Sequence, residues 1–165
     1  MSTAVVVGNP RPASRTLAAA TLLAGELTGT TPDPVVDLAT VGAGLLELDD
    51  PGTGRLVEQV EQADVVVFAC PTYKGTYTGL LKLFLDRFEA RPRPALAVPL
   101  MLGAGPGHSL AAELTLRPVL AELGFTTVRG LYVLDSQHDD PAAHAAWLEQ
   151  VRPVVSALHR SGASA

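Results

Sequence analysis

The chain has 165 residues, with 12 Lys and Arg against 17 Asp and Glu, so its formal charge is −5. This length is typical of one compact domain. A content of 47% apolar and 18% charged residues excludes an intrinsically disordered chain. The negative charge argues against nucleic acid as the main partner, because a phosphate backbone requires a basic face.

Cys70 is the single cysteine of the sequence, which excludes a disulfide framework within the chain and is typical of the reducing cytoplasm. No apolar run approaches the roughly 20 residues that a membrane helix needs. The first residues also lack the basic and apolar pattern of a secretion signal. We therefore expect a cytoplasmic protein without a role in the membrane.

Short apolar runs alternate along the chain with longer stretches of helical periodicity. Ser14 is the predicted N-cap of the first helix, and Pro118 is predicted to kink the fourth helix or to remove one of its hydrogen bonds. In chain order the pattern predicts strand 4–7, helix 14–27, strand 35–38, helix 54–62, strand 64–70, helix 79–88, strand 95–102, helix 108–123, strand 126–134 and helix 142–158.

The third and fourth strands contain continuous apolar runs, at residues 65–68 and 96–98. Such runs indicate strands covered on both faces, as in a parallel sheet between helices. Strands that alternate with helices imply right-handed crossovers. The sequence therefore predicts an α/β three-layer sandwich with a five-stranded parallel sheet. Periodicity does not determine the strand order, and we expect 2-1-3-4-5, the flavodoxin-like arrangement. We expect a single domain over residues 1–160 and a disordered tail over 161–165.

In an open parallel sheet, ligands bind beyond the carboxyl ends of the strands where the strand order reverses. For the order 2-1-3-4-5, this crevice is formed by the loops that follow strands 1, 3 and 4. We call them the first, second and third loops; they cover residues 8–16, 71–79 and 103–108.

The first loop precedes a helix, so its amides lie at a helix N-terminus, where anions bind. Ser14 and Thr16 supply hydroxyl groups, and Arg11 and Arg15 supply positive charge, which predicts a phosphate site. The loop lacks the Gly-Lys-Ser/Thr of a nucleoside triphosphate site and the Gly-x-Gly-x-x-Gly of a dinucleotide site. The alternative is ordinary helix capping by Ser14 with two solvated arginines.

The second loop carries Tyr73 and Tyr77 between two glycines, a composition that suits a planar ring system through stacking and in-plane hydrogen bonds. Lys74 is a candidate contact for an anionic ligand. The alternative is a helix-entry turn with surface tyrosines. The third loop is rich in glycine, which allows close approach of its amides to a ligand but is a weak signal.

Other candidates have simpler interpretations. His108 is more typical of a helix start than of a catalytic base, and Cys70 of a small buried residue than of a nucleophile. His138, Asp139, Asp140 and His144 lack a recognisable metal-ligand spacing, so we predict a solvated acidic loop and no metal site.

Four motifs carry a family resemblance that extends from the first to the fifth strand. They resemble the NADPH-dependent FMN reductase family, and most closely the flavin reductases of two-component alkanesulfonate monooxygenase systems. The Pro-x-Tyr-Lys segment is the most specific of them. The motifs are Gly8-Asn-Pro-Arg-x-x-Ser-Arg-Thr16, Pro71-Thr-Tyr-Lys-Gly-x-Tyr-Thr-Gly-x-Leu-Lys82, Leu116-Arg-Pro-Val-Leu-x-x-Leu123 and Asp135-Ser-Gln137.

The resemblance implies roles for residues of all three loops. The first loop would hold the FMN phosphate, the second would border the isoalloxazine, and the third would line its other edge. The implied cofactor-binding residues are Asn9, Arg11, Ser14, Arg15, Thr16, Pro71, Thr72, Tyr73, Lys74, Gly75, Gly103, Ala104 and Gly105.

The resemblance also implies an activity, namely hydride transfer from NADPH or NADH to FMN without a catalytic side chain. Reduced FMN would then serve a monooxygenase, or would reduce a quinone, an azo compound or a metal ion. Family members assemble as homodimers or homotetramers. In the alkanesulfonate reductases, a tyrosine inserted in helix 4 makes a π-bulge linked to flavin release, and Leu114 stands at that place here.

Two alternatives remain at this stage. One is an electron carrier of the flavodoxin type that binds FMN without turnover of nicotinamide, which Arg11 and Arg15 disfavour. The other is a family member that has lost its cofactor and serves as an interaction domain.

Overall fold

A computed structural model describes residues 1–89 and 95–162, with side chains described up to residue 157. Of the predicted tail, residues 163–165 lie outside the described residues. The helices and strands are β1 Thr3–Val7, α1 Arg15–Thr28, β2 Val35–Asp37, α2 Pro51–Glu61, β3 Val65–Pro71, α3 Gly79–Leu85, β4 Leu96–Gly103, α4 Arg117–Glu122, β5 Thr126–Thr127, β6 Leu131–Leu134 and α5 Ala145–Gly162.

The sheet has the predicted parallel order β2-β1-β3-β4-β5, which confirms the flavodoxin-like topology. The predicted fifth strand is wrong as one continuous element, because it is divided into β5 and β6, which both pair with β4. Gly130 lies in the gap between them, and a Cβ on it would stand 2.6 Å from the backbone nitrogen of Glu113. The chain therefore leaves the sheet where a neighbouring helical segment packs against its backbone.

Two apolar layers cover the sheet. One is built by α1 and α5, whose buried residues include Leu23 and Trp147, and the other by α2, α3 and α4, whose buried residues include Val60 and Phe84. All residues of β1, β3 and β4 are buried, as expected for strands covered on both faces. Among the described residues, none of the helices is both long and apolar enough to span a membrane.

Local capping determines where the helices begin and end. Ser14 caps α1 as predicted, since its side chain accepts from the Leu17 amide. The predicted start of α2 at residue 54 is wrong, because the Asp50 carboxylate accepts from the Thr53 amide at 2.6 Å and the helix begins at Pro51. The third helix ends at Leu85 rather than at residue 88.

The predicted helix 108–123 is divided into three pieces. A 3₁₀ turn covers Pro106–His108, a π-helical turn covers Ala112–Leu116, and α4 follows from Arg117. The Arg117 amide donates to the Ala112 carbonyl, five residues back. Because Pro118 has no N–H for the carbonyl four residues before it, a regular α-helical ladder is not available here. The π turn contains Leu114, so this backbone feature occurs here without a tyrosine at that position.

Candidate functional site

The three loops meet at the carboxyl ends of β1, β3 and β4, as the predicted topology requires. The Thr78 hydroxyl of the second loop donates to the Gly8 carbonyl of the first at 2.6 Å. The Thr72 amide donates to the Leu102 carbonyl at the end of β4 at 2.7 Å. A Cβ on Gly75 would lie 3.7 Å from the ring of His108, so the second and third loops are also in contact.

Hydrogen bonds within the first loop pre-organise it. The Asn9 side chain donates to the Thr16 hydroxyl at 3.0 Å and accepts from the Arg11 amide at 2.9 Å. Arg15 and Thr16 form the first turn of α1, where amides lack intrahelical acceptors. The Ser14 side chain accepts from the Leu17 amide, which is the helix-capping role that the alternative interpretation gave it.

Asp37 is part of this arrangement, and the sequence analysis did not identify it. Its carboxylate accepts from the Ala13 amide at 2.9 Å, and Ala13 has the uncommon positive φ of 49°. Asp37 ends β2, the neighbour of β1. An acidic residue near the end of the second predicted strand was therefore the signal in the sequence that could have identified it. Asp37 therefore fixes the sharp turn that leads into the N-terminus of α1.

The second loop makes a tight turn. The amides of Tyr73 and Thr76 donate to each other's carbonyls at 3.0 and 3.2 Å. Between them, Lys74 and Gly75 have φ values of 54° and 81°, the two consecutive positive angles of a type I′ turn. The amides of these two central residues donate to no acceptor within the described part of the chain. The turn thus presents N–H groups, an exposed Tyr73 ring and a lysine.

Two side chains at the end of β3 differ in what they offer. The buried Thr72 hydroxyl has no hydrogen-bond partner among residues 1–89 and 95–162. Burying a hydroxyl without a partner is unfavourable, so a polar ligand group or water at this place would stabilise the site. Cys70 is inert by contrast, since burial raises the pKa of its thiol to about 12.

The third loop is held by a side chain of another strand. The hydroxyl of Tyr132, on β6, donates to the Gly105 carbonyl at 2.6 Å. The amides of Ala104 and Gly105 find no acceptor in the described ranges. Tyr132 was not among the predicted site residues, because its contact with the loop depends on the pairing of β6 with β4.

Positive charge at the site is unneutralised. Arg11, Arg15 and Lys74 are exposed and make no salt bridge to another described residue. In a chain of net charge −5, three cationic side chains without an ion pair on two of the three converging loops favour an anionic ligand.

The histidines and acids after β6 do not converge. His144 is buried and its Nε2 lies 2.8 Å from a Glu26 carboxylate oxygen of α1, whereas the His138 Nδ1 lies near the Asp135 carbonyl. Among the described residues, no group of three or more His, Cys, Asp or Glu is placed to hold a metal ion.

Comparison with known proteins relates the chain to one enzyme family. Residues 1–140 match the profile of the family described as NADPH-dependent FMN reductase. An FMN reductase (NADPH) of Pseudomonas aeruginosa is 32% identical over 148 residues, which cover 83% of this chain and 78% of the relative. An FMN reductase (NADPH) of Escherichia coli is 36% identical over 91 residues, which cover 54% of this chain.

The chain spans about half the length of the latter relative, since the match covers 48% of it. Among solved structures, the apo form of an NADH:FMN oxidoreductase, EMOB, superposes with a TM-score of 0.80. It is 26% identical, and the match covers 97% of this chain and 89% of that one.

Proposed function

Because the chain belongs to the NADPH-dependent FMN reductase family, we propose that it is an NAD(P)H-dependent FMN reductase. The observation that carries this proposal is the meeting of three loops with free amides and free cationic side chains at the carboxyl ends of β1, β3 and β4. This is where an open parallel sheet binds ligands.

The first loop holds the FMN phosphate in this proposal. The amides at the start of α1 lie at the positive end of a helix, and a doubly charged phosphate is stabilised there. Arg11 and Arg15 add charge-assisted hydrogen bonds. Asn9, Ser14 and Thr16 complete the phosphate site. The Asn9 side chain bonds Thr16 and the Arg11 amide, and Ser14 caps α1, so the loop is ordered without a ligand.

The second and third loops hold the isoalloxazine from two edges. The type I′ turn offers the amides of Lys74 and Gly75, with Tyr73 exposed beside them for stacking. Pro71 and Thr72 form the floor at the end of β3, where the unpartnered Thr72 hydroxyl fits a polar atom of the ring system. Gly103, Ala104 and Gly105 border the opposite edge through amides that the protein leaves free.

Bound flavin supplies the redox chemistry, since it accepts a hydride from the nicotinamide. The chain itself orients the two ring systems and places N–H groups where negative charge develops. No catalytic acid or base is required of a side chain. Cys70 takes no part, because burial keeps its thiol protonated.

The product, reduced FMN, serves a flavin-dependent monooxygenase or reduces a quinone, azo or metal acceptor in this proposal. We place the enzyme in the cytoplasm, in agreement with its single buried cysteine. A homodimer or homotetramer is supported by two leucines one helical turn apart, Leu110 and Leu114, which are 62% and 65% exposed.

Titration of the purified protein with FMN, followed by steady-state oxidation of NADPH and NADH, tests the proposal. We expect flavin binding and flavin-dependent loss of the reduced nicotinamide absorbance. If the protein binds FMN but oxidises neither NADPH nor NADH with any acceptor, it is instead an electron carrier. Failure to bind FMN would leave the interaction-domain alternative.

A further inference from the structure

Tyr132 reaches from β6 under the third loop and makes a close contact there. Its hydroxyl donates to the Gly105 carbonyl at 2.6 Å. A Cβ on Gly103 would lie 3.0 Å from the ring carbon that carries this hydroxyl, and closer still to the hydroxyl oxygen. Glycine at position 103 therefore leaves the space that the phenol occupies.

The Gly105 carbonyl belongs to a peptide unit that has no N–H, because Pro106 follows. Without a bond to the protein, the Gly105–Pro106 peptide unit would offer a ligand only a hydrogen-bond acceptor. The Tyr132 hydroxyl draws the carbonyl toward β6, which lies on the side of β4 opposite to β3. The amides of Ala104 and Gly105, which have no acceptor in the described chain, remain for the crevice.

The surroundings of the Tyr132 hydroxyl favour its protonated form, which is the form that donates a hydrogen bond. Burial raises the pKa of its hydroxyl, and the negative charge of Asp135 raises it further, against a smaller lowering by the Gly105 bond. The hydroxyl thus keeps its proton at neutral pH, and it has a carbonyl oxygen within hydrogen-bond distance.

We propose that Tyr132 is a positioning residue of the flavin site, which holds the third loop with the Gly105 carbonyl turned toward β6 and the preceding amides free for the ring system. This inference rests on the proposed function, since it concerns the same site. Tyr132 itself need not touch the flavin. It acts on the ligand through Gly103 and Gly105.

The variant Tyr132→Phe keeps the ring and removes only the hydroxyl. In the flavin-free protein, we expect faster amide hydrogen exchange at Ser109, whose amide closes the third loop by donating to the Pro106 carbonyl at 3.0 Å, with exchange in β1 and β3 unchanged. We also expect the FMN dissociation constant and KM to rise about 3- to 10-fold, the usual effect of one hydrogen bond, with kcat changed less. Thr28→Val removes a different hydroxyl-to-carbonyl bond, at the end of α1, and is the matched control.

A second pair of variants tests the contact itself. Gly103→Ala places a methyl group against the Tyr132 hydroxyl, so we expect a larger loss of FMN affinity than in Tyr132→Phe. The double variant Gly103→Ala/Tyr132→Phe lacks the hydroxyl oxygen that lies nearest to the new methyl group. We therefore expect it to recover part of the FMN affinity that Gly103→Ala loses. Purely additive losses would contradict the close contact between the two residues.

The outcomes separate this inference from the proposed function. Unchanged loop exchange and FMN affinity in Tyr132→Phe, with an active wild-type enzyme, would overturn the positioning role alone. Faster loop exchange with unchanged FMN affinity would also overturn it, because the loop would then be held without consequence for the ligand. A wild-type protein that binds FMN but does not oxidise NAD(P)H would overturn the reductase activity and leave the binding part of the inference supported.

Discussion

Single residues decide how the three loops are held, and several of them are not among the proposed FMN contacts. Asp37 fixes the turn at Ala13, Thr78 ties Gly8 to the second loop, and Tyr132 holds Gly105. Each supplies a hydrogen bond to a backbone group that would otherwise be free to rotate. The residues proposed to contact FMN depend on these bonds for their placement.

The phosphate assignment predicts a strong effect of Arg11. Replacing it in Arg11→Ala removes a free cation beside the amides of α1, so FMN affinity should fall about tenfold or more, as for the loss of a charge-assisted hydrogen bond. The loss should shrink as salt concentration rises. Fluorescence titration with FMN measures it. Arg55→Ala, an exposed arginine on α2, is the control, and an unchanged affinity in Arg11→Ala would contradict the assignment.

Substitution of Gly8, which packs against α3, is expected to lower the stability of the fold. A Cβ at this position would lie 2.9 Å from the Leu81 Cα, so Gly8→Ala pushes the first loop away from α3. We expect a loss of about 1–3 kcal/mol in the free energy of unfolding, typical of overpacking. Denaturant unfolding measures this. Gly54→Ala, in α2 with open space around its Cβ, should instead be neutral or stabilising, because alanine favours a helix.

At the scale of elements, the least regular segment is the helical stretch before α4. The π turn over Ala112–Leu116 is fastened to the gap between β5 and β6, since the Glu113 carboxylate accepts from the Gly130 amide at 2.7 Å and also pairs with Arg117. The same gap interrupts the fifth strand. A distortion of the helix and a break in the sheet therefore occur at one contact.

This contact predicts a pH dependence. Burial alone would raise the pKa of Glu113, but the Gly130 amide and Arg117 outweigh it and hold that pKa below its usual value. A lowered folded-state pKa stabilises the fold above the unfolded-state value of about 4.5 and loses this contribution as pH falls through the folded-state value. The melting temperature of Glu113→Gln should thus be lower than that of wild type at pH 7.

The difference between Glu113→Gln and wild type should decrease as the buffer is made more acidic than the unfolded-state pKa. Glu149→Gln, an exposed glutamate on α5, controls for the change in net charge. A difference that stays constant over the whole pH range would mean that the charge of Glu113 does not stabilise this contact.

For the whole molecule, the exposed apolar residues concern assembly. Leu110 and Leu114 are solvent-exposed beside the third loop, whereas the neighbouring Ala111, Ala112 and Leu116 are buried. Large apolar side chains that repeat on one helical face next to a ligand crevice favour contact with a second copy of the chain.

We expect an oligomer in solution that Leu114→Glu dissociates into smaller species, as measured by sedimentation velocity. The physical reason is that a carboxylate at an apolar interface loses its hydration without a partner. Leu48→Glu is the comparison, because Leu48 is 80% exposed but lies in the segment before α2 rather than on the helical face of Leu110 and Leu114. Dissociation by Leu48→Glu alone would place the interface elsewhere, and a monomeric wild type would contradict the assembly.

The sequence by itself predicted the α/β class and the three loops of the candidate site, whereas the strand order was expected from the flavodoxin-like arrangement and is not determined by periodicity. Continuous apolar runs, helical periodicity and turn residues are local signals, and parallel topology then places the ends of β1, β3 and β4 together. The motifs around Arg11 and Tyr73 were enough to indicate the family, which the profile match confirms. The roles of the individual site residues stay predictions.

Only the tertiary structure decided where the fifth strand breaks and what holds the loops. The division of β5 from β6 occurs where Gly130 closely approaches Glu113, two positions 17 residues apart in sequence, whereas the irregularity of the neighbouring helix was predicted from Pro118. The hydroxyl of Tyr132 reaches Gly105 only because β6 pairs with β4. Such contacts depend on packing between distant segments, and periodicity within a segment carries no information about them.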